Sequence, residues 1–156
     1  MPLPVLRDTG ASINLQFRVA TVVSPRPSMI YILLNAVPIL AATLTGLAVG
    51  AIYLSLAGLP RATLGLLVTT AIAQAWFAAI LAGALILAPP RASDWVMAIG
   101  SAVVIWIGFV VPVSVVTLRA RQIGGGVVAA DSLYWLVVMI THAVIMKVIG
   151  LVPPPI

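Results

Sequence analysis

Four strongly polar side chains lie within otherwise apolar stretches of this sequence: Asn35, Gln74, His142 and Lys147. Polar groups are rare inside membrane-spanning segments, so each of them is a candidate for function. With a rise of about 1.5 Å per residue along a helix, Gln74 and His142 fall near the middle of their stretches, and Asn35 and Lys147 about a turn and a half from an end. The sequence therefore predicts two polar layers.

The middle layer has two interpretations. Trp76 and Trp106 fall at the same depth as Gln74 and His142, which would make the layer a small polar binding site with tryptophan walls, in which His142 exchanges a proton. Alternatively, Gln74 and His142 only join helices through hydrogen bonds, which contribute about 0.6 kcal/mol each on average in membranes. The sequence leaves both interpretations open.

His142 lacks the partners that catalysis requires. A general base needs a group that orients it or a nucleophile within reach, and the predicted spans hold no carboxylate beyond their first residues. One histidine and no cysteine fall short of the three or four protein ligands of a zinc site. We therefore expect a protein that is not an enzyme and that holds no metal and no cofactor.

Lys147 lies close enough to the end of its stretch for its four-carbon stem to carry the ammonium group to the lipid headgroups. The alternative is a site for an anion or a substrate. Asn35 would be the neighbour of Lys147 in that site if the first and last spans touch.

Small residues recur along the first span, at Ala42, Gly46 and Gly50. Their spacing of four leaves one helix face nearly bare, so another backbone can approach it closely. The pattern does not say whether this contact lies within the chain or between chains.

Two prolines predict kinks in spanning helices. Pro38 removes the hydrogen bond to the carbonyl of Leu34, and Pro112 removes the bond to Gly108. Gly108 offers no side chain that would crowd its bend.

The amino-acid composition indicates the class of protein to which this chain belongs. The chain has 156 residues, of which 63% are hydrophobic and 7% charged, whereas soluble domains carry about 25% charged residues. A span needs about 20 apolar residues, and runs bounded by Pro, Gly and Arg predict four spans. We expect an all-α polytopic membrane protein, an antiparallel up-down-up-down four-helix bundle, with spans at about 29–56, 62–88, 94–117 and 131–152.

The remaining segments are short and lie at the chain ends. Residues 1–28 form an N-terminal extension that we expect to be flexible, residues 29–152 the transmembrane domain and residues 153–156 a short tail. Four spans place both termini on one side of the membrane. Met29 opens the first span, so the natural chain starts either at Met1 or at Met29.

The net charge of +5 does not indicate nucleic-acid binding, because the cations are scattered singly along the chain. They are typical of anchors at lipid headgroups. The expected partners are the lipid bilayer and other membrane proteins, or a second copy of the chain bound through the Gly46 and Gly50 face. We expect no nucleic acid.

Several of these residues resemble the motifs of a known family. The stretch from Gly50 to Ser55, GAIYLS, resembles a G-A-x-[WY]-x-S element, and the stretch from Gly108 to Pro112 resembles a G-F-x-x-P element. A histidine in the last span, here His142, also fits. Together they resemble the domain of unknown function 1761 family of small bacterial four-helix membrane proteins. The resemblance implies a four-helix fold in a bacterial inner membrane and no established activity.

Two functions are compatible with the sequence. The first is a non-enzymatic integral membrane protein that acts in helix-mediated assembly or as an accessory subunit of a membrane complex. The alternative is a small-molecule transporter or binder with a mid-membrane polar site. A dry, filled core would favour the first, and a polar cavity open to one side would favour the second.

The four-span topology predicts the location of reporter fusions. Fusions at Arg61 and Arg121 should report one side of the membrane, and fusions at Arg91 and Ile156 the other. Activity measurements on paired reporters that are active on opposite sides test this, and a mixed result within either pair would contradict the four-span topology.

Overall fold

The computed structural model describes residues 30–88 and 92–153, and these residues form helices and short connections without strands. The N-terminal extension with Met29, residues 89–91 and residues 154–156 lie outside the described residues. The helices are α1 (Ile30–Leu34), α2 (Ala36–Leu56), α3 (Leu64–Leu87), α4 (Asp94–Ile105), a π-helical segment (Trp106–Val110), α5 (Val111–Ala120) and α6 (Gly125–Ile149).

Four helical stretches are long and apolar enough to cross a membrane: Ala36–Leu56, Leu64–Leu87, Asp94–Ala120 and Gly125–Ile149. The third stretch consists of α4, the π-helical segment and α5. The predicted all-α fold with four such helices is confirmed. These helices are compatible with an integral membrane protein.

Both prolines that predict kinks lie next to an irregularity in a helix. Asn35 separates α1 from α2, and Pro38 lies in the first turn of α2. The π-helical segment ends two residues before Pro112, and the N–H of Val111 bonds to the carbonyl of Trp106. The wider π turn is an accommodation common where the regular hydrogen-bond ladder is broken.

The predicted start of the last span is wrong by more than one helical turn. Helix α6 begins at Gly125, with Gly124 as its N-cap, rather than at residue 131. Asp131 therefore lies inside the helix and does not cap it. The first N–H groups of a helix have no partner within it, so a run of glycines costs less there than in the middle. The helix ends at Ile149, because Gly150 adopts a φ of 93° that ends helical geometry.

Helix α6 packs against all three other spanning stretches. The interior around it consists mainly of small side chains, which allow backbones to approach closely. The alanines with at most 2% of their surface exposed are Ala42, Ala78, Ala82, Ala98, Ala102 and Ala143. Large apolar side chains such as Leu44 and Phe109 are exposed instead, which is the arrangement that a lipid environment favours.

Asn35 joins the start of α2 to the segment that follows α6. Its Nδ2 donates to the carbonyl of Val152 over 2.8 Å, and the N–H of Val152 donates to its Oδ1 over 2.7 Å. Asn35 is fully buried. The residue at which the first helix breaks is therefore also the residue that fixes the end of the last one.

We expect Asn35→Leu to lower the free energy of unfolding by about 1–3 kcal/mol, because it removes two hydrogen bonds to the backbone of Val152 that contribute about 0.5–1.5 kcal/mol each. Leu33→Ala is the matched control, since Leu33 is 77% exposed on the preceding turn. Thermal unfolding in detergent measures both. Equal, small shifts for the two variants would contradict a structural role for Asn35.

Candidate functional site

The polar side chains of Gln74 and His142 meet at Gly46. Gln74 comes from α3, His142 from α6 and Gly46 from α2, and both polar side chains are fully buried. A Cβ atom added to Gly46 would lie 2.5 Å from Nε2 of His142 and closer still to Oε1 of Gln74. The two side chains therefore occupy the space that glycine leaves free. We call these three residues the Gly46 cluster.

The Gly46 cluster holds polar atoms that are not satisfied. Oε1 of Gln74 and both ring nitrogens of His142 are buried and have no hydrogen-bond partner among the described residues. Leaving a buried donor or acceptor unpaired costs about 1–3 kcal/mol. Within the part of the chain that the structure describes, His142 thus makes none of the interhelical hydrogen bonds that a purely structural role would provide.

Gln74 connects the Gly46 cluster to a pair of tyrosines. Its Nε2 donates to the hydroxyl of Tyr134 over 3.4 Å, a long hydrogen bond. The ring of Tyr134 stacks on that of Tyr53, with ring centres 4.6 Å apart and planes inclined by 19°. The hydroxyl of Tyr53 donates to Oδ1 of Asp131. Polar and aromatic groups thus form a continuous series from His142 to the first turns of α6.

A cavity of about 820 Å³ adjoins this series. It lies between the second half of α2, the α2–α3 connection and the first half of α3, with two aromatic residues of α6 contributing to its wall. Its lining residues are Leu47, Gly50, Ala51, Tyr53, Leu54, Ser55, Gly58, Leu59, Arg61, Ala62, Leu66, Leu67, Thr70, Tyr134 and Trp135. Volumes of about 300–1,000 Å³ are typical of small-molecule sites.

Tyr134 links the cavity to the buried polar atoms. It lines the cavity, and it accepts the hydrogen bond from Gln74. Its own O–H proton has no acceptor among the described residues, so it is available to a molecule in the cavity. Gly50 permits this arrangement, since a Cβ there would lie 3.1 Å from the Tyr134 hydroxyl oxygen.

The predicted tryptophan walls are not part of the site. Trp76 is 61% exposed and lies outside the cavity lining, because two residues along a helix correspond to a rotation of about 200° from Gln74. Trp106 donates its indole N–H to the carbonyl of Ser132 over 2.7 Å. It therefore joins the π-helical segment to α6.

The second predicted polar layer is divided between two contacts. Asn35 bonds to Val152, as described above, and Lys147 forms an ion pair with Asp94 over 2.5 Å. Lys147 and Asp94 border a second, smaller cavity of about 400 Å³. The charge of Lys147 is thus already balanced by a carboxylate, which weakens its case as an anion site.

Four residues at or beside the cavity were not predicted from residue type: Tyr53, Tyr134, Asp131 and Arg61. A signal for two of them was present, since Asp131, Tyr134 and His142 fall on one face of α6 at spacings of three and eight residues. Tyrosines near the ends of apolar runs are usually assigned to the membrane interface, which conceals such a role. Within the described residues, no three His, Cys, Asp or Glu side chains are grouped in a way that would hold a metal ion.

No protein-family model, curated protein or solved structure matches the chain. The resemblance to the domain of unknown function 1761 family therefore rests on the motif residues alone. Three of these occupy the site: Gly50 and Tyr53 line the cavity, and His142 belongs to the Gly46 cluster.

We expect Gly46→Ala to destabilise the protein by about 1–3 kcal/mol, the usual cost of adding atoms to a filled interior. Gly50→Ala should cost less, because the Tyr134 hydroxyl has only to move by tenths of an ångström. Gly100→Ala is the control, since a Cβ there meets nothing within 4 Å. Thermal unfolding in detergent ranks the three variants. A cost for Gly46→Ala no greater than that for Gly100→Ala would contradict the close packing of the Gly46 cluster.

Proposed function

We propose that this chain is an integral membrane protein that binds a small molecule in the cavity between its first two spans. The spans would run up-down-up-down through a bacterial inner membrane with both termini on one side. The observation that carries the proposal is the position of Tyr134, which borders an 820 Å³ cavity and contacts Gln74 of the Gly46 cluster.

The geometry supports binding in two ways. Most of the cavity wall is apolar, and a few polar groups converge on it, as is usual in ligand sites. Gln74 bonds to Tyr134 of the cavity wall, and His142 lies beside Gln74 at Gly46. A bound molecule that reorients the Tyr134 hydroxyl or the Gln74 amide would therefore change the surroundings of the unpaired atoms. A role limited to joining helices does not explain why His142 is buried without a hydrogen-bond partner among the described residues.

Helix-mediated assembly receives less support. The small-residue face that motivated it is occupied by contacts within the chain: Ala42 is fully buried, and Gly46 lies against Gln74 and His142. The first spans of two copies cannot also approach each other closely through that part of the face.

A screen of small amphipathic compounds by thermal shift in detergent tests the proposal. A ligand that binds only the folded protein stabilises it by about 2.7 kcal/mol at a hundredfold excess over Kd. We expect Ala51→Leu to abolish the shift, because Ala51 lines the cavity.

Ala48→Leu is the matched control, since Ala48 is an exposed residue one turn earlier on α2 that does not line the cavity. We expect it to keep the full shift. Compounds that stabilise both variants equally, or a screen in which no compound distinguishes them, would contradict binding in this cavity.

A further inference from the structure

Arg61 borders the cavity and has no hydrogen-bond or ion-pair partner among the described residues. It belongs to the connection between α2 and α3, which is exposed. A guanidinium group presents N–H donors in a planar fork that fits a carboxylate or a phosphate. The end of the cavity next to the α2–α3 connection therefore carries a cationic group that has no partner among the described residues.

The remaining walls favour a hydrocarbon chain. Leu47 and Leu54 contribute from α2, Leu66 and Leu67 from α3, and Trp135 from α6. Apolar surface removed from water stabilises a complex by about 25 cal/mol per Å². A cation beside apolar walls is complementary to an amphiphile with an anionic headgroup.

The volume of the cavity is large enough for one hydrocarbon chain. If a methylene group occupies about the 30 Å³ of a water molecule in the liquid, a sixteen-carbon chain fills about 480 Å³ and two such chains about 960 Å³. The cavity has about 820 Å³. One chain with its headgroup fits within this volume, whereas two chains would extend beyond it.

We propose that the cavity binds a single-chain amphiphile with an anionic headgroup, such as a fatty acid. Its carboxylate bonds to Arg61, and its chain follows the leucines of α2 and α3 towards Tyr134 and Trp135. This inference rests on the proposed function and adds to it the class of the ligand.

The chain contains no cysteine, so a single introduced thiol reports on the cavity. Ala62→Cys places this thiol in the cavity lining beside Arg61, and Gly124→Cys places one in the exposed connection before α6. Both variants are placed in nanodiscs of phosphatidylcholine and alkylated with a maleimide. Hexadecanoate should slow alkylation of the first variant in a saturable manner and leave the second unchanged.

The role of the charge is tested with two further substitutions in the Ala62→Cys background. Arg61→Gln should raise the half-protecting concentration of hexadecanoate about tenfold, which corresponds to about 1.4 kcal/mol. Arg121→Gln, which removes the same charge from a residue outside the cavity lining, should not change it. Methyl hexadecanoate, which lacks the anionic charge, should protect about tenfold less well than hexadecanoate.

The other outcomes separate this inference from the proposed function. Equal protection by the acid and the ester, unaffected by Arg61→Gln, would overturn the anionic headgroup and leave binding in the cavity intact. Saturable protection by phosphatidylglycerol with the same dependence on Arg61 would overturn the single chain. Absence of protection by hexadecanoate, its ester and phosphatidylglycerol would overturn the inference, and the proposed function would fail separately only if the compound screen also found no ligand dependent on Ala51.

Discussion

The arrangement of the site depends on the missing side chain at Gly46. Because that position has no Cβ, the amide of Gln74 and the imidazole of His142 fit between α2, α3 and α6. Any larger residue would push at least one of them away. Gly46 therefore sets the distance between three helices and, at the same time, admits two polar side chains to an interior made mainly of alanine and other apolar side chains.

The position of Gln74 in turn determines what lies beside the cavity. Gln74 holds the hydroxyl of Tyr134, Tyr134 stacks on Tyr53, and Tyr53 bonds to Asp131. These contacts join α2, α3 and α6 over the half of the bundle where the α2–α3 connection lies. The opposite ends of α2 and α6 are joined by Asn35 and Val152 instead. The two sets of contacts fix α2 against α6 near both ends and leave the cavity between α2 and α3.

Much of the fold follows from the sequence, because the thickness of a bilayer sets the length of each apolar run and few residue types interrupt one. The rise per residue, which hardly varies along a helix, predicts Gln74 and His142 at a similar level of the bundle, and their side chains meet at Gly46. The depth of a residue along its helix does not specify the direction in which its side chain points. Trp76 was therefore predicted to line the polar site, although its side chain is exposed. The start of α6 was misplaced because a run of glycines resembles a loop, although Gly125 begins a helix. The cavity depends on gaps between side chains of three helices, and no local pattern encodes them.

Native mass spectrometry of the protein released from membranes in mild detergent tests the central claim most directly, namely that the cavity beside Tyr134 holds a small molecule. We predict a second mass peak, heavier than the bare chain by one bound molecule. The peak should be missing when Ala51 is replaced by leucine and retained when Ala48 is. Spectra that contain only the bare chain, or the same added mass in all three proteins, would contradict it.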